Sequence, residues 1–137
     1  MEEKEEISED RPETRWFIDV DWYQQNNRSL LVLAQNYLCP KCAKQLSDKG
    51  KEIPLDNLLT TIKNCCSQTP GYINSQLPIM ESIFRLFLAN GNQPLSIEEL
   101  GSQVSEWRGS DNYRTSAEII SHLIKRDDYY GLAEAEG

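Results

Sequence analysis

No apolar run in the 137-residue chain approaches the roughly 20 residues that a membrane-spanning helix needs. The opening stretch, MEEKEEISED, lacks the apolar core of a secretory signal. A cytoplasmic location is the expectation. Reduced thiols follow from it, and they count against structural disulfides. Histidine is almost missing. His122 is the single one and shares no spacing with any cysteine pair, so it reads as a surface or interface residue rather than a metal ligand. No grouping of nucleophile, base and acid stands out either. Asp19 and Asp21 fall on one face of an extended segment, but no partner acid, base or metal ligand lies near them in the sequence. Capping and solvation account for both. The chain is read as no enzyme, with no small-molecule substrate evident and no membrane contact.

Positive charge is also scarce. The formal net charge is −8, and its placement is uneven. Residues 1–15 hold seven acids against three bases, and residues 78–130 hold eight against five. Residues 16–77 hold five acids against six bases. An overall field of this sign does not draw in nucleic acid, though it leaves room for a local basic face.

What is present falls into four stretches. Residues 1–14 are charged, poor in apolar side chains and interrupted by Pro12, the composition of a disordered arm. Residues 15–74 contain every cysteine. Residues 75–132 carry the clearest helical periodicity, and residues 133–137 form a tail. Within the second stretch, WFIDV at 16–20 has strand character. Asp21, with Gln24 three positions on, predicts a capped helix over about 22–37 that turns Tyr23, Leu30, Leu31, Ala34, Tyr37 and Leu38 inward. Trp16, Trp22 and Tyr23 are read as core aromatics. Residues 43–54 are polar, lysine-rich and broken by Gly50 and Pro54, so a loop is expected. A helix from Asp56 carries Leu58, Leu59 and Ile62, and Thr69-Pro70-Gly71-Tyr72 has the order of a tight turn.

In the third stretch Pro78 opens a helix through Met80, Ile83, Phe84, Phe87 and Leu88, stopped by Asn90-Gly91. Ser96-Ile97-Glu98-Glu99 and Thr115-Ser116-Ala117-Glu118 both have capping-box spacing. Tyr129, Tyr130 and Leu132 suggest a short terminal strand. The fold class expected is mainly α with short strands: a small cysteine-containing helical module followed by a three-helix domain.

The cysteines carry the chemistry. Cys39-Pro40-Lys41-Cys42 is a tight C-x-x-C turn, and 22 residues separate Cys42 from the Cys65-Cys66 doublet. Two such halves suit a tetrahedral zinc site. Adjacent side chains diverge, so both Cys65 and Cys66 reach one ion only where the backbone ends or bends its helix. A closed Zn²⁺ site would be structural, and its binding energy would be folding energy. Lys41, Lys44, Lys49, Lys51 and Lys63 would then offset the negative sulfur cluster. An iron–sulfur centre, a redox dithiol and unligated core thiols remain as alternatives. Against the dithiol stands the expectation that C-x-x-C follows a helix C-terminus, where the dipole disfavours a thiolate.

YLCPKCAKQL resembles the zinc knuckles of ribbon and treble-clef modules, with Ala43 where a glycine often follows. Residues 78–132, through PLSIEELGSQV and RTSAEIISHLIKRDDYYGL, resemble winged-helix domains, nearest to the HARE type. That resemblance implies a third helix able to enter a major groove. It points to Arg108, Arg114, Lys125 and Arg126 as contacts to duplex DNA or to a protein partner. Asp127 and Asp128 thin the basic face, and Trp107 and Tyr113 either cover the core, the favoured reading, or anchor a partner. The expected role is a non-enzymatic regulatory or adaptor component near a nucleic-acid machine.

Overall fold

The computed structural model describes residues 14–49, 54–109 and 115–135. The expected arm at 1–14 lies almost wholly outside them. Strand β1, Arg15–Ile18, buries Trp16 and Ile18 and leaves Arg15 exposed, the alternation expected of a strand with one covered face. It is the middle strand of a three-stranded sheet in the order β2-β1-β3. β2 is Leu95–Ser96 and β3 is Leu132–Glu134. Both pairings are antiparallel, with Trp16 opposite Leu95 on one side and opposite Glu134 on the other. Asn92, at φ +60°, adds a side-chain rung. Its amide oxygen accepts the Ile18 N–H at 2.8 Å, and its amide nitrogen donates to the Ile18 carbonyl at 2.9 Å.

The strand stops early because Asp19, one acid before the expected cap, caps the next helix by accepting the Asp21 N–H. The single helix expected over 22–37 is two short ones, α1 Val20–Gln25 and α2 Leu30–Gln35. Asn27 takes a left-handed conformation at φ +57°, which asparagine tolerates better than most residues. Ser29 then starts α2 by accepting the Val32 N–H. The expected loop over 43–54 is corrected as well, because α3 runs Pro40–Lys49. Proline suits a first helical position, and the lysines that follow are good helix formers.

Helix α4, Leu55–Asn64, buries Leu58, Leu59 and Ile62 as its spacing predicts. Helix α5, Ile79–Ala89, buries Ser82, Ile83, Phe84, Leu86, Phe87 and Leu88, which surround most of its circumference. It is the central helix, packed against α4, β1, α6 (Ile97–Arg108) and α7 (Ala117–Lys125). The capping box at Ser96 and Glu99 forms in full. Helix α7 is capped by Ser116, one position after the expected Thr115. Gly101 lets α6 approach the start of α7, since a Cβ there would stand 2.5 Å from the Thr115 carbonyl oxygen.

Residues on both sides of the boundary expected near 74 share one sheet and one core. Trp16, Ile18, Tyr23, Leu58 and Ile62 belong to the same buried cluster as Phe84, Phe87, Leu100 and Ile120. The architecture is mainly helical with a small sheet. Among the described residues no helix is long and apolar enough to cross a membrane.

Candidate metal centre

Three local features bring the sulfurs together. Cys39 sits at the cap of α3, where its carbonyl accepts the Ala43 N–H at 2.9 Å, so one helical turn places Cys42 beside it. Helix α4 ends at Cys65, whose backbone turns to φ −130°, ψ −63°. Cys66 then opens a short 3-10 turn, Cys66–Gln68. That break turns two adjacent side chains toward one point, the condition the adjacency imposed. Ser67 reinforces it by donating to the Lys63 carbonyl at 2.8 Å.

The four sulfurs lie within 4.8 Å of one another. Cys39 Sγ is 3.5 Å from Cys66 Sγ and 3.9 Å from Cys65 Sγ, and Cys42 Sγ is 3.3 Å from Cys65 Sγ. A tetrahedron with metal–sulfur bonds of about 2.3 Å has edges of about 3.8 Å, so these separations bracket the edge of a single-ion site. All four are free thiols. The arrangement is compatible with metal binding, and the backbone supports it: the Cys39 N–H donates to Cys66 Sγ at 3.1 Å.

The electrostatics are not those expected from the sequence. The C-x-x-C turn opens a helix instead of closing one, because α2 ends at Gln35 and α3 begins at Pro40. The positive end of the α3 dipole therefore faces the sulfurs and favours thiolate. The Cys42 backbone N–H bonded to Cys39 sulfur, with help from the neighbouring thiols, holds Cys39 down to about 7. Burial pushes the Cys42 and Cys66 thiols up. Cys42 and Cys66 are buried, while Cys39 and Cys65 are partly exposed. Lys41, Lys44 and Lys63 are exposed on the two flanking helices; Lys51 lies outside the described residues.

Around the sulfurs stands a group that residue counting did not single out. Arg85 lies over the Tyr37 ring at 4.6 Å and near the Tyr72 ring at 5.8 Å. It bonds Glu81 through Nε and Nη2 and donates from Nη1 to the Tyr72 carbonyl. The available signal was a lone arginine in the apolar run IFRLFLA, with a glutamate four residues before it.

The expected contact residues separate. Lys125 and Arg126 are exposed at the end of α7, as is His122. Arg108 is corrected: it is 5% exposed, and its guanidinium donates to the carbonyls of Asn74, Ser75 and Leu77 and to the Ser82 hydroxyl. A fork of five N–H groups suits such a cluster of acceptors, and it ties residues 74–77 to α5 and α6. Arg114 and Tyr113 lie outside the described residues. Trp107 is partly exposed, edge-on to Tyr72. Comparison of the chain with protein-family models, curated proteins and solved structures gave no match.

Proposed function

We propose that Cys39, Cys42, Cys65 and Cys66 hold one structural Zn²⁺ and that the protein is a non-enzymatic binding module stapled by it. The observation that carries this reading is that all four sulfurs lie within 4.8 Å of one another, three of the separations being 3.3–3.9 Å against a tetrahedral edge of about 3.8 Å. An iron–sulfur cluster fits less well, since thiolates on separate irons radiate outward and stand farther apart than thiolates sharing one ion. A closed four-sulfur site leaves no position for water or substrate, so its contribution is stability.

The second half of the reading is a winged-helix-like domain in a regulatory or adaptor protein. Its support is the order α5-β2-α6-α7-β3, completed by β1 as the third strand. The burial of Arg108 removes one of the expected cations from the basic face. A protein partner is therefore the first reading for the contact made beside α7, and duplex DNA is the second.

Elemental analysis of protein purified without added metal tests the centre. One zinc per chain and no visible absorbance is the expected result; colour from iron, or no metal, overturns it. For the contact, a pull-down is paired with duplex binding at two salt concentrations. Protein capture that Lys125→Ala with Arg126→Ala weakens, with weak and salt-sensitive DNA binding, supports the adaptor reading. Tight duplex binding abolished by the pair establishes the other.

A further inference from the structure

The sulfur cluster is not closed evenly. A cavity of about 210 Å³ opens against one side of it, with Tyr37, Cys39, Cys66, Thr69, Tyr72 and Arg85 among its walls. Cys42 and Cys65 do not line it. The cavity admits several waters at about 30 Å³ each, and so a molecule as small as hydrogen peroxide. Its wall holds the partly exposed Cys39 and, 3.5 Å from that sulfur, Cys66. It also holds Arg85, whose bonds to Glu81 and Tyr72 engage three N–H groups of the five a guanidinium carries. A partly exposed sulfur, a second sulfur 3.5 Å from it, a nearby donor and room for a small oxidant thus share one wall.

We propose that Cys39 is the residue of the cluster modified by peroxides, and that oxidation joins it to Cys66. In the first step the Cys39 thiolate attacks one peroxide oxygen. The S–O bond forms, the O–O bond breaks, and the departing hydroxide takes a proton from solvent to become water. Cys39 is oxidised by two electrons to the sulfenic acid, and the peroxide is reduced. In the second step the Cys66 thiolate attacks the Cys39 sulfur. The S–S bond forms, the S–O bond breaks, and hydroxide leaves as a second water. Two thiolates, one peroxide and two protons become one disulfide and two waters. Where the cluster holds a metal, the ion loses two ligands and is released or loosened. That consequence rests on the zinc reading, whereas the choice of cysteines rests on the cavity and the sulfur distances.

The full-length, metal-loaded protein is treated with one equivalent of hydrogen peroxide. Metal release is followed with a chromogenic chelator, and the thiols are mapped by mass spectrometry. Trypsin cuts after Lys41 and so separates Cys39 from Cys42, while fragmentation separates Cys65 from Cys66. A dominant Cys39–Cys66 linkage that appears with metal release is expected. A dominant Cys42–Cys65 linkage, or an even mixture, overturns the proposal. Thr69→Trp, which fills the cavity from its exposed rim, is expected to slow oxidation at least fivefold with metal content unchanged; an unchanged rate overturns the cavity route. If the purified chain carries no metal, the zinc reading fails, but the same map on the metal-free chain still decides the pairing. If metal is bound and no thiol reacts in tenfold excess peroxide, the oxidation proposal fails and the zinc reading stands.

Discussion

Tyr72 and Arg85 hold each other by reciprocal bonds. The Tyr72 hydroxyl donates to the Arg85 carbonyl at 2.8 Å, and Arg85 Nη1 donates to the Tyr72 carbonyl at 2.8 Å. The pair fixes the turn after the second cysteine pair to the central helix α5. Tyr72→Phe removes one of these bonds while keeping the ring, and is expected to cost about 1 kcal/mol. Urea unfolding with an unchanged m-value checks it. A variant as stable as the parent would mean that the hydroxyl contributes nothing.

Metal removal should act on the whole domain, because the cysteine-bearing segments share a core with α5 and β1. With free zinc a thousandfold above its Kd, binding to the folded state alone adds about 4 kcal/mol, or roughly 10–20 °C in Tm. Chelation should reverse this gain. Cys42→Ser should abolish the difference between scans with and without chelator.

Acidification should weaken metal binding. Burial raises the Cys42 and Cys66 thiols, and Cys39 stands at about 7. Protons therefore occupy ligand sulfurs at neutral pH, and the metal must expel them. The sign follows: apparent affinity rises with pH and falls as pH drops, by at least about tenfold per unit if one or more protons are displaced. Competition against a chelator of known affinity near pH 6, 7 and 8 measures the slope. A flat profile would contradict ligation by these thiols.

Gly131 is expected to be intolerant of substitution. Its φ is +69°, and an added Cβ would lie 2.6 Å from the Trp22 ring and 2.8 Å from the Tyr23 ring. Gly131→Ala combines overpacking with backbone strain and should cost about 1–3 kcal/mol or more. The readout is thermal unfolding beside Gly71→Ala, where nothing lies within 4 Å and only the strain remains.

The parts legible in the sequence were the ones whose signals are local. Ser96 and Glu99 announce a helix start three residues apart, and the structure forms both of their bonds. The cysteine cluster was legible because C-x-x-C and a sulfur doublet at a helix stop offer the two halves of a four-sulfur site. The sheet was not. The partners of Trp16 are Leu95 and Glu134, and no short-range pattern reports such pairing. The break between α1 and α2 was signalled by Asn27 followed by Ser29, a stop and a start that the apolar stripe on either side concealed. Arg108 was misread because charge alone does not tell an exposed guanidinium from one satisfied by buried carbonyls. Asp127 was read only as charge, yet its carboxylate accepts the N–H groups of Tyr129, Tyr130 and Leu132 and shapes the approach to β3.

The placement of β1 at the middle of the sheet bears on how the polypeptide is made. Its residues leave the ribosome first among the strands, while the last strand they must meet ends at Glu134. The nascent chain therefore carries β1 with one edge unpaired until residues 132–134 have emerged, a long-range closure that slows folding. A product lacking either Arg15–Ile18 or Leu132–Glu134 would lose the same sheet, so a cut beside one strand would be felt at the other.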